Sequence, residues 1–495
     1  MSERRPGAAN GARGASGGRD ASGARGSGDA RSAVAGAERD ADASLAGAGG
    51  DRGADGVRGA GAGRDVGGAR GGDLAGGGQV PAAKASKRAK PTWLLYLSAI
   101  GPGMVAALAG NDAGGIATYS SVGAQYGYRM LWMIPIMMLL LSVVQESAAR
   151  MGCVTGKGFA SLIREHFGIR PTALAMGALL VSNTAVTLSE FAGIASGMSL
   201  FGIPSFVSVP LAGLVVWLLS TGGSYKRVEK ILLAVSCVFL AYVAAAFMAG
   251  PDWGSVLAST FVPRVTGEAG FFSLLIATIG TTIAPWMIFL AQNNVVDRGE
   301  GPETLRYQRA DSVAGSVVAC LIAWFIIITT GTVLFPNGVA VDSAADAASA
   351  LAPIAGAYAE KLFAAGLVAA SFLAACVLPG ITSSAVCEAF GWERGADRSW
   401  AEAPTYKGII TFILALSCIV VIMPDVNLFG IMTTAQVISG VLLPILLVFH
   451  VLIINDRKTM GNYRNSRLWN VLTWGTIGLV GVLTIVMFVM QALGA

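Results

Sequence analysis

From about residue 92 onward, apolar runs of roughly 20 residues follow one another with short polar breaks. A run of that length crosses a hydrocarbon core of ~30 Å as a helix. A soluble core would be cut into amphipathic pieces of roughly 8–20 residues instead. The pattern predicts eleven spans, near 93–125, 130–153, 171–200, 205–221, 228–250, 271–297, 309–335, 350–390, 406–423, 428–454 and 468–493. The eighth stretch reads as an amphipathic outer helix near 344–360 leading into a span at 362–389. The chain is therefore expected to be an all-α polytopic membrane protein.

Composition agrees. The 495 residues are 54% hydrophobic and 13% charged, with a mean hydropathy of +0.62. Soluble domains sit near 45–50% and ~25%. Residues 1 to about 80 are the exception, being Gly, Ala, Arg, Asp and Ser with almost no large apolar side chain. Such a segment buries too little surface to offset its ordering entropy and is expected to be disordered. This divides the chain into a cytoplasmic tail, 1–90, and a transmembrane domain, 91–495. Within the tail, Gly14-Ala15-Ser16-Gly17-Gly18 fits the G-x-S-x-G pattern but has no strand-to-helix turn around it, so it carries no chemistry. The six cysteines are scattered with no CxxC pair and read as small buried hydrophobes.

The net charge of +5 matters less than where the charges fall. A basic run, Lys84, Lys87, Arg88 and Lys90, precedes the first span and suits an anionic cytoplasmic surface. With the amino terminus inside, the inner loops hold Arg150, Lys157, Arg164 and Arg170, then Lys226, Arg227 and Lys230, then Arg298, Arg306 and Arg309. Arg394, Arg398 and Lys407 follow, then Arg457, Lys458, Arg464 and Arg467. The outer loops hold Arg129 and Arg264 and little else basic, with Asp252, Asp342, Asp346 and Asp425. This alternation is the positive-inside pattern. It predicts a multi-pass protein of the plasma membrane with the carboxyl terminus outside.

Two spans are interrupted. In the first, apolar Leu94–Leu108 runs into Ala109-Gly110-Asn111-Asp112-Ala113-Gly114-Gly115. Each glycine weakens a helix by ~1 kcal/mol, and an ionised Asp at mid-bilayer costs at least ~2.5 kcal/mol. Together they predict an unwound stretch whose carbonyls and carboxylate face a cavity. In the sixth span, Thr278-Ile279-Gly280-Thr281-Thr282-Ile283-Ala284-Pro285-Trp286 contains a proline that removes a backbone donor and clashes with the preceding turn. Breaks five spans apart are what a five-plus-five inverted repeat produces. Elsewhere, Thr187 and Glu190 lie three apart and share a face of the third span. Gln436 lies in the tenth span, where its amide oxygen either faces the site or joins helices. Gln292, Asn293 and Asn294 end the sixth span, where capping or loop roles are expected. His166 and His450 are read as interfacial.

These same residues carry a resemblance. Gly101-Pro102-Gly103-Met104-Val105-Ala106-Ala107, the Asp112 break and Tyr126-Gly127-Tyr128 with Leu131-Trp132 look like the start of the Nramp divalent-metal transporters. Similarity continues through Thr155-Gly156-Lys157, the break before Pro285, and Gln436-Val437-Ile438-Ser439-Gly440-Val441-Leu442-Leu443-Pro444, covering about 95–455. The resemblance implies a LeuT/APC-type inverted repeat with helices 1 and 6 broken. It also implies that the substrate is a divalent cation carried by alternating access.

The departures are informative. The family's first-span motif is Asp-Pro-Gly-Asn; here Asp112-Ala113-Gly114-Gly115 keeps the Asp and loses the Asn. The sixth-span motif is Met-Pro-His; here Ala284-Pro285-Trp286 lacks thioether and imidazole. The family's Asp three before a Glu is here Thr187 before Glu190. Alanine in place of methionine resembles the branch called Nramp-related magnesium transporters. The chemistry points the same way, because a thioether favours softer transition metals over Mg²⁺. Mg²⁺ binds oxygen and usually keeps several waters. The expected metal site is Asp112 with Asn111, Gly115, Thr281, Ala284 and Gln436, the small residues leaving room for water. Thr187, Glu190 and Trp286 are the expected vestibule, a remnant of the family's proton route. Neither Trp286 nor Thr187 titrates, so uncoupled uptake of partly hydrated Mg²⁺, with Mn²⁺ also accepted, is expected. The alternative is a proton-coupled Mn²⁺/Fe²⁺ symporter. The membrane potential gives a doubly charged ion about 4.6 kcal/mol per 100 mV. We find no HExxH, no phosphate loop and no nucleophile elbow in a span, so no enzyme is expected. The other expectations are a lipid-embedded protein that functions as a monomer, with no cofactor and no nucleic-acid partner.

Overall fold

The structure, a computed structural model, describes residues 110–222 and 241–493. The tail, the basic run at 84–90 and the first half of the first span lie outside the described residues. So do the first part of the fifth span, the loop basics at 226–230, and Cys237.

Among the described residues the regular structure is entirely helical. The order is α1 (Ala113–Tyr126), α2 (Met133–Thr155), α3 (Phe159–Phe167), α4 (Ile169–Ser199), α5 (Ser205–Thr221), α6 (Ala241–Met248), α7 (Trp253–Phe261) and α8 (Ala269–Thr282). It continues with α9 (Pro285–Asp297), α10 (Leu305–Val333), α11 (Ala344–Ser349), α12 (Ala359–Phe390), α13 (Pro404–Ile422), α14 (Leu428–Asn455) and α15 (Arg467–Leu493). A single helical turn at Ala352–Ala355 precedes α12. Every span expected within the described residues has its helix. The sixth is two half-helices, α8 and α9, as its proline requires. The expected outer helix near 344–360 is broken into short turns. Two short helices were not foreseen. α3 is amphipathic, burying Phe159, Leu162 and Ile163 while keeping Arg164, Glu165 and His166 outward. α7 is capped by Asp252, whose carboxylate accepts from Gly254 N and Ser255 N.

Burial is inverted relative to a water-soluble bundle. Polar groups collect inside and large apolar side chains face out, as on α5 (Phe206, Leu211, Leu214) and α15 (Leu468, Val471, Ile485). Of the apolar window of the broken α8–α9 span, 89% is buried, against 22% for α15. The broken span is therefore central and the last helix peripheral. Around it α14 and α12 both pack along α4, and α10 packs along α1 and α2.

Without water in the bilayer core, interior polar groups must find protein partners. Serine and threonine do so within their own helix: Thr278, Thr282 and Ser371 each donate to the carbonyl four residues back. Charged groups need each other. Glu146 on α2 accepts from Arg150 at 3.0 Å and from Arg309 of α10 at 2.7 Å. Arg150 also donates to Tyr463 O and Asn465 Oδ1. Arg150, read as a loop cation, is thus buried and ion-paired. His450, expected at the interface, is fully buried, with Nε2 2.6 Å from Ser147 Oγ. Its ring lies edge-on to Phe159. His166 is exposed on α3, with Nε2 2.7 Å from Thr459 Oγ1. The described cysteines are all free.

α8 and α14 approach each other closely. A Cβ on Gly280 would collide with Gln436 O and Gly440 N, and one on Gly440 with Ile276 O. Ser439 Oγ donates to Gly280 O across this contact. Backbone cannot move aside as a side-chain end can, so Gly280→Ala is expected to cost about 1–3 kcal/mol. The reference is Gly177→Ala on the open face of α4, where the new methyl meets nothing within 4 Å and helix propensity favours alanine. Melting temperatures in detergent should fall for the first and hold or rise for the second.

Candidate metal site

The site is built where two half-helices end against each other. α1 begins at Ala113 with Asp112 as its N-cap, in extended backbone, Oδ1 accepting from Gly115 N at 2.7 Å. Asp is a preferred N-cap because its oxygen satisfies a helix-start N–H. Glu190 of α4 reaches the same turn, Oε2 accepting from Ala113 N at 3.2 Å. Two carboxylates thus meet the positive end of one helix dipole, which favours negative charge there. α8 ends at Thr282 and α9 starts with Pro285 at its first position, where a missing N–H costs least. In an unbroken helix residue 285 would donate to Thr281 O; proline cannot, so that carbonyl is released at the negative end of α8.

Asn111, Asp112, Thr281, Glu190 and Gln436 are all buried. Gln436 of α14 is packed against Gly114, where any Cβ would collide with Nε2. Thr281 Oγ1 lies 3.0 Å from the Cβ position of Gly115, with Asp112 Oδ1 and Gly110 O each at 3.3 Å. Among the described residues Thr281 Oγ1, Glu190 Oε1, Asn111 Nδ2 and both amide atoms of Gln436 lack hydrogen-bond partners. Leaving such groups buried and unpaired costs about 1–3 kcal/mol each. The oxygens among them are what a cation or its waters would engage. Among the described residues no group of three or more His, Cys, Asp and Glu gathers anywhere. Among these described residues the donors are hard oxygen, with no thioether, thiolate or imidazole.

The structure therefore brings together Asn111, Asp112, Gly115, Thr281 and Gln436. Ala284 and Trp286 are buried at the α8–α9 break, Ala284 as the N-cap of α9. Room expected beside Gly115 is taken up by Thr281 in this conformation. Thr187 commits its hydroxyl to Asn183 O at 2.7 Å. Glu190, assigned to a vestibule, meets the start of α1 directly. Gln292, expected in a cap or loop, lies buried inside α9, with Nε2 donating to Lys157 O at 2.8 Å. Tyr119 was not singled out. Its hydroxyl is 2.9 Å from Thr282 Oγ1 and ties α1 to the end of α8. It lies seven residues after Asp112, on the same helix face, and that spacing was the signal.

Fold and site together define a multi-pass helical carrier of the broken-helix type. Within that class the chain belongs to the Nramp family, natural resistance-associated macrophage protein-like, whose model matches residues 103–490. The divalent metal cation transporter MntH of Granulibacter bethesdensis is 26% identical over 81% of this chain and 90% of its own length. MntH of Bacillus subtilis is 28% identical over 79% and 91%. The metal transporter Nramp3 of Oryza sativa subsp. japonica is 28% identical over 78% and 72%. Among solved structures, the Eremococcus coleocola manganese transporter, in complex with an aromatic bis-isothiourea compound, superposes with a TM-score of 0.63 at 22% identity. That match covers 79% of this chain and 86% of the other. MhsT, in complex with L-phenylalanine, gives 0.53 at 15% identity over 78% and 98%. These likenesses place the chain in the five-plus-five inverted-repeat architecture of the LeuT type. The family and these relatives are transporters rather than enzymes.

Gly114→Ala must displace Gln436 from the start of α1. Titration calorimetry with Mn²⁺ is expected to show about tenfold weaker binding, ~1.4 kcal/mol. Unchanged affinity would remove Gln436 from the site.

Proposed function

We propose that this protein carries divalent metal cations across the membrane by alternating access, and that it is a member of the Nramp-related magnesium branch. Its cargo is then Mg²⁺, with Mn²⁺ accepted, moved down the electrochemical gradient without a proton. The observation that carries this reading is the α8–α9 break itself. Where a thioether and an imidazole would favour softer ions, Ala284 and Trp286 offer no ligand, while Asp112, Thr281 Oγ1 and Gln436 Oε1 offer hard oxygen. Mg²⁺ is typically held by one or two carboxylates and retained waters, and the start of α1 carries two carboxylates. The orphan amide of Gln436 suits a coordinated water as well as the ion.

The loop charges support a plasma-membrane protein with its amino terminus in the cytoplasm and its carboxyl terminus outside. On the same reading residues 1–90 form a separate cytoplasmic tail. One bundle holds the whole site, which supports function as a monomer.

A second reading rests on Glu190. Its Oε1 is buried without a partner among the described residues, against the same helix turn as Asp112. A carboxyl in that place suits a proton carrier, and the chain would then be a proton-coupled Mn²⁺/Fe²⁺ symporter.

Proteoliposomes with an internal pH dye separate the two. Mg²⁺ uptake without internal acidification is expected, and metal-tied acidification that disappears in Glu190→Gln would establish the second reading. Asp112→Ala should abolish uptake; retained transport would mean the ion passes elsewhere.

Restoring the soft ligand gives an independent check. Ala284→Met is expected to shift competition toward Mn²⁺ over Mg²⁺ by about tenfold, since a thioether favours the softer ion. An unchanged Mg²⁺-to-Mn²⁺ ratio in competition uptake would separate residue 284 from selectivity.

A further inference from the structure

Arg129 and Arg264 are the two basic exceptions in loops that otherwise carry acids. Far apart in the chain, they line one cavity of about 400 Å³. The end of α1, the turn before α7, α7 itself and the end of α10 line this open cavity, with Tyr128, Ser259 and Thr332 among the lining residues. Neither guanidinium has a hydrogen-bond or ion-pair partner among the described residues. Ser259 is 5% exposed and its hydroxyl is likewise without a partner. Asp252 is the single acid in the lining. Its oxygens are committed to Gly254 N, Ser255 N and Ser255 Oγ, and these hydrogen bonds hold its carboxyl below the usual range. Both side chains are exposed to what fills or covers this cavity, and guanidinium fork geometry matches phosphate oxygens.

The next residue along the chain opens a different space. Val265 lines a cavity of about 190 Å³ whose other walls are apolar: Trp132 and Met133 from α2, Phe272 and Leu275 from α8, Leu483 from α15. The two cavities share a partition. Tyr126 lines the first and Phe271 the second, and their rings meet edge to face at 5.2 Å. An inorganic anion would account for the arginines and leave the apolar crevice unexplained. A molecule with a phosphodiester and a fatty chain accounts for both.

We propose that this end of the bundle, the outer end by the charge pattern, holds a glycerophospholipid, its phosphodiester on Arg129 and Arg264 and one acyl chain in the crevice between α2, α8 and α15. The chain then lies against α8, the half-helix that carries Thr281, and the headgroup against the end of α1, the half-helix that starts at Asp112. A bound lipid braces both halves of the broken-helix pair in the arrangement seen here. The site is independent of which cation is carried.

Native mass spectrometry of the purified protein tests this with phosphatidylglycerol and with a galactosyl diacylglycerol of the same chains. The wild type is expected to retain the phospholipid. Retention should fall roughly tenfold or more in the Arg129→Ala/Arg264→Ala double variant, to the level of the sugar lipid, as two charge-assisted contacts are lost. Equal retention by the two proteins would overturn the proposal. So would displacement of the phospholipid by millimolar inorganic phosphate, which would make the cavity a free-anion site. A second measurement needs no arginine variant. Phosphatidylglycerol with brominated chains should quench the fluorescence that wild type has and Trp132→Phe lacks, and no quenching of that difference would remove the chain from the crevice.

Discussion

A helix broken in the middle of a bilayer leaves backbone groups that no water can satisfy, and the rest of this structure is arranged around that constraint. At the start of α1 the freed donors are met by carboxylates, Asp112 on Gly115 N and Glu190 on Ala113 N. At the end of α8, Gly280 O accepts from Ser439 across a glycine-to-glycine helix contact, while Thr281 O is released by the proline that follows. What the break exposes is a set of oxygens, backbone and side chain, gathered beside two buried acids. On the proposed reading, a cation is what this set of oxygens engages.

The same constraint explains the placement of the polar residues generally. α4 runs through the interior with α12 and α14 packed along it, so Glu190 can reach α1 from the unbroken side. Charges away from the site are held by one another, as Glu146 is by Arg150 and Arg309, because a charge buried in protein without a partner is costly. Large apolar side chains are left to the lipid on α5 and α15. The central broken span is thus shielded from lipid by the surrounding helices.

Family membership and the site's departures from the family motif do different work. Membership rests on similarity along most of the chain and fixes the architecture. The departures sit at positions 115, 187, 284 and 286, within or close to the broken helices. None of them disturbs a helix end: Asp112 still caps α1 and Pro285 still opens α9. A fold whose breaks are set by Asp, Gly and Pro can therefore change the side chains beside those breaks while keeping its geometry.

The spans, the two breaks and the acid at the first break were legible in the sequence, because each is a local property. Apolar length, glycine and proline placement, and the cost of a charge in lipid act within a few residues of chain. The partners were not legible. That Glu190 accepts from Ala113 N, that Tyr119 ties α1 to Thr282, and that Gln436 presses on Gly114 all depend on how α4, α8 and α14 cross α1. His450 and Arg150 became buried for the same reason, since hydropathy counts a residue's neighbours in sequence and not the helix that covers it. Sequence by itself determined where the chain crosses the membrane and where it must break. Only the tertiary structure decided which polar groups face those breaks, because the hydrogen bonds that satisfy a freed backbone come from residues far away along the chain.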